Sequence, residues 1–210
     1  MPRLLLALVL LSLCLTQNPA LAQSRAEYLA WRAQQGDGNA LPRLAQEGDI
    51  NAMIATGNCL LTGQDGKQIC TLPSISTGLL YWEQALLSNQ HPWLANDLLE
   101  LLMRGPTMYR HTWNQDWNAI CRVSQYVRHA NLIQNLGTIQ KSGVGLCYLS
   151  NFALPQKDTP FGLKLIEQAA HDGLSEAASI LADIYAKGLY GIPTNMPKSR
   201  HWHAIAQKTQ

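Results

Sequence analysis

The side chains best suited to bind another molecule gather between Arg104 and Trp117. Tyr109, Trp113 and Trp117 surround His111, with Arg104 and Arg110 beside them. Tyrosine, tryptophan and arginine supply large contact area at low entropic cost, which is what binding hot spots favour. The same side chains could also fold over the body of the protein and fill gaps in its packing. Other candidates are weaker. His201 and His203 flank Trp202, but a two-residue spacing on a helix points them to different sides, a poor arrangement for a metal. His91, His129 and His171 fall in or near expected helix-ending turns, where imidazole suits the helix dipole. Neither a serine elbow nor a histidine zinc motif occurs. Glu27, Glu47, Glu83, Glu100, Glu167 and Glu176 fall on separate expected helices rather than in acid–base pairs. No cofactor and no catalytic residue is expected.

Composition sets the outer bounds. The chain has 210 residues, 47% hydrophobic and 14% charged, with a formal net charge of +2. That suffices for a buried core in one compact domain. Arginine and lysine are scattered singly, so the basic stripe that nucleic acid demands is missing, as is a polybasic membrane patch.

Residues 1–22 read as a secretory leader. Arg3 gives the positive start, Leu4 to Leu15 the apolar stretch, and Ala20-Leu21-Ala22 a small-residue cleavage site before Gln23. The apolar stretch is too short to span a bilayer. A periplasmic or secreted protein without a membrane span is therefore expected. Four cysteines remain after the leader, Cys59, Cys70, Cys121 and Cys147, an even number that suits an oxidising compartment. They lack the C-x-x-C or paired-histidine spacing of a zinc site.

The elements that must position these residues read as helices throughout, with no alternating strand pattern. Ser24 to Gln35 opens the set, and Gly36-Asp37-Gly38-Asn39 breaks it. Helices are expected from Thr77 to Asn89, from Trp93 to Met103 with Pro92 as a starter, and from Trp117 to His129. The clearest stretch is Phe161 to Ala206. One helix carries Leu163, Ile166, Ala169 and Ala170 and stops at Gly173. A second carries Ala177, Ile180, Leu181, Ile184 and Tyr185 and stops at Gly188. A third returns Trp202, Ala204 and Ile205 to the same seam.

Ala169-Ala170-x-x-Gly173-x-x-x-Ala177-x-x-x-Leu181-x-x-x-Tyr185-x-x-Gly188, followed by Gly191-Ile192, Asn195, Lys198 and Trp202, resembles the Sel1-like repeat, a relative of the tetratricopeptide repeat. The chain departs from that pattern at Ala182, Asn195 and Ser199. A similar spacing runs from Leu44-Ala45 through Gly48, Ala52 and Thr56-Gly57 to Gly63. Another runs from Leu132 through Leu136-Gly137 and Gln140 to a Gly143-x-Gly145 loop, with an insertion from Cys147 to Lys157. The resemblance implies an all-α fold, a short right-handed α-solenoid of about four helix-turn-helix repeats over residues 23–210. Its best copies would be residues 130–170 and 163–206, with degenerate copies at 40–86 and 77–105.

Among the three connectivities open to four cysteines, sequence-local pairing of Cys59 with Cys70 and Cys121 with Cys147 is expected. Each pair then brackets one repeat's second helix and the loop after it. The resemblance further implies a non-catalytic exported adaptor that binds another protein or peptide of the cell envelope along its surface. The aromatic segment from Arg104 to Trp117 would supply anchors. Two narrower alternatives belong to secreted proteins of the same family: a periplasmic flagellar-motor role, and weak β-lactam binding or hydrolysis.

Overall fold

The computed structural model describes residues 39–62, 64–65, 68–69, 74–88, 91–105, 114–150 and 157–208. The expected leader, the expected first helix at Ser24 to Gln35, Cys70, Tyr109, Arg110 and Trp113 lie outside the described residues. The chain forms two compact units, Met1–Tyr81 and Trp82–Gln210, and the described residues are all-α apart from one short hairpin.

In the first unit, α1 (Ala40–Gln46) and α2 (Ile50–Thr62) form an antiparallel hairpin. Asp49 caps α2 by accepting the Ala52 N–H at 2.8 Å. Ala40, Leu44, Ala45 and Ala52 are buried at its heart, with Leu41, Met53 and Tyr81 packed against them. After α2 the chain makes an antiparallel pair of two-residue strands, β1 (Gln64–Asp65) and β2 (Gln68–Ile69), with Gln64 opposite Ile69. This departs from the strand-free expectation, because two residues are too few for alternation to register in sequence. The helix expected at Thr77 begins earlier, as α3 (Ile75–Leu87).

One buried group in α2 is unpaired. Thr56 is 3% exposed and its Oγ1 finds no hydrogen-bond partner among the described residues. An unpaired buried hydroxyl is a net cost. Thr56→Val keeps the branched shape without the hydroxyl, and it is expected to stabilise the first unit by about 1 kcal/mol, read as a higher urea midpoint.

The second unit contains α4 (Leu94–Arg104), α5 (Trp117–His129), α6 (Thr138–Leu149), α7 (Thr159–His171), α8 (Ser175–Lys187) and α9 (Met196–Lys208). Pro92 lies in the turn two residues before α4 instead of opening it. Successive helices pack on one another: α4 on α5, α5 on α6, and on through α9. Asp116 and Asp158 cap α5 and α7 by accepting the Ala119 and Phe161 N–H groups at 3.0 and 3.1 Å. Gly173 and Gly188 take left-handed backbone angles at the ends of α7 and α8, the stops read from the sequence. The core between α6 and α9 is continuous, including Leu149, Ile166, Ala169, Ala178, Leu181, Ile184, Tyr185 and Trp202.

The expected Gly143-x-Gly145 loop is not a loop. Both glycines lie inside α6 and are buried. They remain helical because what they provide is missing bulk. A Cβ on Gly143 would sit 2.5 Å from the Met103 thioether, and one on Gly145 would sit 2.7 Å from the Gly162 carbonyl oxygen. Cys147, expected to open an insertion, is likewise in α6.

A backbone clamp repeated at three junctions fixes the register. The N–H of the residue preceding α7, Asp158, donates to the Tyr148 carbonyl at 3.1 Å. Asn195, ahead of α9, donates to Tyr185 at 2.7 Å, and Ser74, ahead of α3, donates to Leu60 at 3.2 Å. Tyr148 and Leu60 thus take the place of Tyr185. The signature of the third copy is therefore Val144-Gly145-x-x-Tyr148, not Leu136-Gly137-x-x-Gln140. Four residues after each clamp come Gly162, Ser199 and Gly78, all buried small residues. The first of these meets Gly145, and a Cβ on Gly78 would lie 3.0 Å from the Gly57 carbonyl oxygen. Helix backbones thus cross closely at the same step in both units. At the start of α5 the equivalent position is Ile120, and there Gln115 Nε2 donates to the Met103 carbonyl at 2.8 Å.

Candidate functional site

Helix α5 buries Ala119, Ile120, Cys121, Val123, Ser124 and Val127, a helical stripe that faces the core. Cys121 is bonded to Cys147 of α6 with 5.4 Å between Cα atoms, and both residues are fully buried. The bond joins the bodies of two consecutive helices; it does not bracket a second helix and its loop, as the sequence reading expected. Cys59 is also disulfide-bonded, and its expected partner Cys70 lies outside the described residues.

With α5 held this way, an open groove of about 440 Å³ lies between it and the C-terminal half of α3. Leu87 and Tyr126 give it apolar walls above the buried Leu86 and Val123, and Glu83, Arg122, Gln125 and His129 line the remainder. Leu87 is 57% exposed at the end of a helix that buries Trp82, Ala85 and Leu86 and also leaves Leu80 52% exposed. Glu83 and Arg122 bridge the groove through two parallel hydrogen bonds, Nε to Oε1 at 3.0 Å and Nη2 to Oε2 at 3.2 Å. The Glu83 hydrogen bond raises the Arg122 pKa, and burial raises that of the Tyr126 phenol. An apolar trough with charges at its edge accommodates large apolar side chains and orients what carries them. This groove is not legible in the sequence. The Leu86-Leu87 pair was visible, but its apposition to Tyr126 depends on a tertiary contact.

A second polar cluster knits α5, α6 and α7 together. Arg128 Nη2 donates to Asp158 Oδ2 at 2.7 Å. Its guanidinium stacks 4.1 Å from the Phe161 ring centroid and 4.8 Å from that of Tyr148. The two rings meet edge to face at 4.9 Å. The Arg128 hydrogen bond, helped by the Phe161 N–H, pulls the Asp158 carboxyl below its ordinary value. A depressed carboxyl stabilises the fold above its unfolded pKa of about 3.9, and that contribution disappears as pH falls through the folded value. Asp158→Asn keeps the cap but loses the charge. Wild type is therefore expected to exceed this variant in urea midpoint by a constant, modest margin above about pH 5, and the margin should close below about pH 4.

The residues singled out from sequence are only partly placed. Arg104 ends α4 and is exposed, and Trp117 opens α5 and is half-buried. The rings of His171 and His201 both meet Trp202 edge-on, at 5.1 and 5.3 Å, while His203 Nε2 lies 3.2 Å from Gln207 Nε2. Among the described residues no group of three or more His, Cys, Asp or Glu could hold a metal ion, and no helix is long and apolar enough to cross a membrane.

No family model and no curated protein matches the chain. Among solved structures it is similar to a Sel1 repeat protein from Oxalobacter formigenes, with 20% identity and a TM-score of 0.49, over 82% of this chain. The match covers 64% of that protein, so this chain spans less than two thirds of its length. It is also similar to immunity protein Pa5087 from Pseudomonas aeruginosa, with 12% identity and a TM-score of 0.29, over 88% of this chain and 81% of that one.

Proposed function

We infer that the protein is a non-catalytic scaffold of the cell envelope, exported by its leader, which holds a segment of another protein in the groove between α3 and α5. The observation that carries this reading is the exposed Leu87 beside the half-buried Tyr126, over a floor of buried Leu86 and Val123. A leucine left in water next to an apolar trough gains free energy when a partner side chain covers it. The Glu83–Arg122 pair at the groove supplies orientation more than affinity. The Cys121–Cys147 bond supports the reading, because it fixes the helix that forms one wall and suits an oxidising compartment.

The segment from Arg104 to Trp117, including Tyr109, Arg110 and Trp113, is proposed as a second set of anchors. A photo-crosslinking residue at position 87, introduced into the full chain in its native cell, tests the groove. A discrete adduct is expected at position 87 and none at the exposed position 176. Its loss on Tyr126→Asp would place the contact in the groove, whereas equal labelling at both positions would refute the reading. Arg110→Ala and Trp113→Ala should weaken the same adduct if the second set of anchors contributes. N-terminal sequencing of the exported chain should begin at Gln23.

A further inference from the structure

Helix α9 carries a separate surface. Three of the chain's 16 lysines and arginines, Lys198, Arg200 and Lys208, lie in it, and none of the 14 acidic residues does. The rest of the chain is therefore net negative by one, so the positive excess is this helix. The last acidic side chain before it, Asp183, is already paired with Lys187 at 3.0 Å. Ser199, Trp202 and Ala206 turn into the core, and Arg200, Ala204, Gln207 and Lys208 lie on the opposite, exposed side. Lys198 is partly occupied, 4.9 Å over the Tyr185 ring. Among the described residues Arg200 and Lys208 have no ion-pair partner, as Arg104 and Lys164 also do not, while Arg122, Arg128, Lys141 and Lys187 each have one.

We propose that the outward ridge of α9 docks an acidic helical segment of a partner protein, with carboxylates meeting Arg200 and Lys208. The two cations stand two helical turns apart, about 12 Å along the axis, and Ala204 between them leaves room for a second helix backbone to approach. Met196, 53% exposed at the start of the helix, offers an apolar contact beyond the charges. This geometry suits a helix with spaced carboxylates better than a membrane, which needs four or more clustered cations or an inserted apolar face. Complementary charge here sets orientation and association rate, and it weakens with salt.

The probe is a fluorescein-labelled alanine-based helical peptide carrying glutamate at every fourth position, titrated with the full chain at low ionic strength. Saturable binding is expected that weakens at least tenfold in the Arg200→Glu/Lys208→Glu variant. It should be unchanged in Lys164→Glu/Lys187→Glu, which alters net charge equally. If the reversal variant loses its helical circular dichroism, Arg200→Gln/Lys208→Gln serves in its place. No binding by wild type, equal weakening in both reversal variants, or equally tight binding to phosphatidylglycerol vesicles would each overturn the proposal.

Discussion

Gly145→Ala is expected to lower the stability of the unit Trp82–Gln210 by about 2–3 kcal/mol. This is the opposite sign from the usual effect of alanine for glycine inside a helix, a gain of roughly 0.5–1 kcal/mol. The reversal arises because α6 and α7 cross at bare backbone. The new methyl would meet the Gly162 carbonyl oxygen and Ile166 Cγ1, each at 2.7 Å. A carbonyl held in a helix cannot move aside without displacing that helix. Gly162→Ala should behave alike, its methyl 2.6 Å from the Gly145 carbonyl oxygen. Gly143→Ala, on the same helix, is the internal control. Its methyl meets only the flexible end of Met103, so the net change should stay within about 1 kcal/mol. Urea denaturation of the three variants separates a backbone crossing from side-chain crowding.

Removing the disulfide with Cys121→Ala/Cys147→Ala is expected to cost the same unit about 3–4 kcal/mol. The bond closes a loop across a sequence separation of 26 residues, and its loss restores that loop's entropy to the unfolded chain. Small cavities at two fully buried sites add to the loss. A fall in midpoint of roughly 10 °C follows for a chain of this size, confined to the transition of the second unit. Because both sulfurs are buried, reductant should act slowly on the native protein and quickly in denaturant. Equal rates would mean that the bond is accessible in the folded state.

Much of the fold was legible because helix periodicity and stop signals are local. Leu163 to Ala170, Ala177 to Tyr185, Gly173 and Gly188 read correctly, since apolar spacing and left-handed stops need no knowledge of neighbours. The third repeat was misread for a physical reason. Leu136-Gly137 mimics the repeat signature, and glycine is ordinarily a helix breaker, so Gly143 and Gly145 looked like a loop. In α6 their function is to omit Cβ atoms where Met103 and Gly162 press in, a need that exists only in three dimensions. The position of Cys147 was misjudged with them. The groove was hidden for a similar reason: Leu87 and Tyr126 are far apart in sequence, and neither is exceptional until α3 and α5 stand side by side. Of the aromatic segment, only Arg104 and Trp117 are placed, at the facing ends of α4 and α5 in sequence.

Amide hydrogen exchange at Ser74, Asp158 and Asn195 tests the repeated architecture most directly. Amides at and just inside a helix start ordinarily lack an intrahelical partner and exchange quickly. Here each donates to the carbonyl of Leu60, Tyr148 or Tyr185 in the preceding helix. All three are therefore expected to exchange far more slowly than the amide of Asp116, which caps α5 and has no such clamp among the bonds described. Exchange at all three as fast as at Asp116 would mean that the clamp is absent, and the repeat register built on it would be wrong.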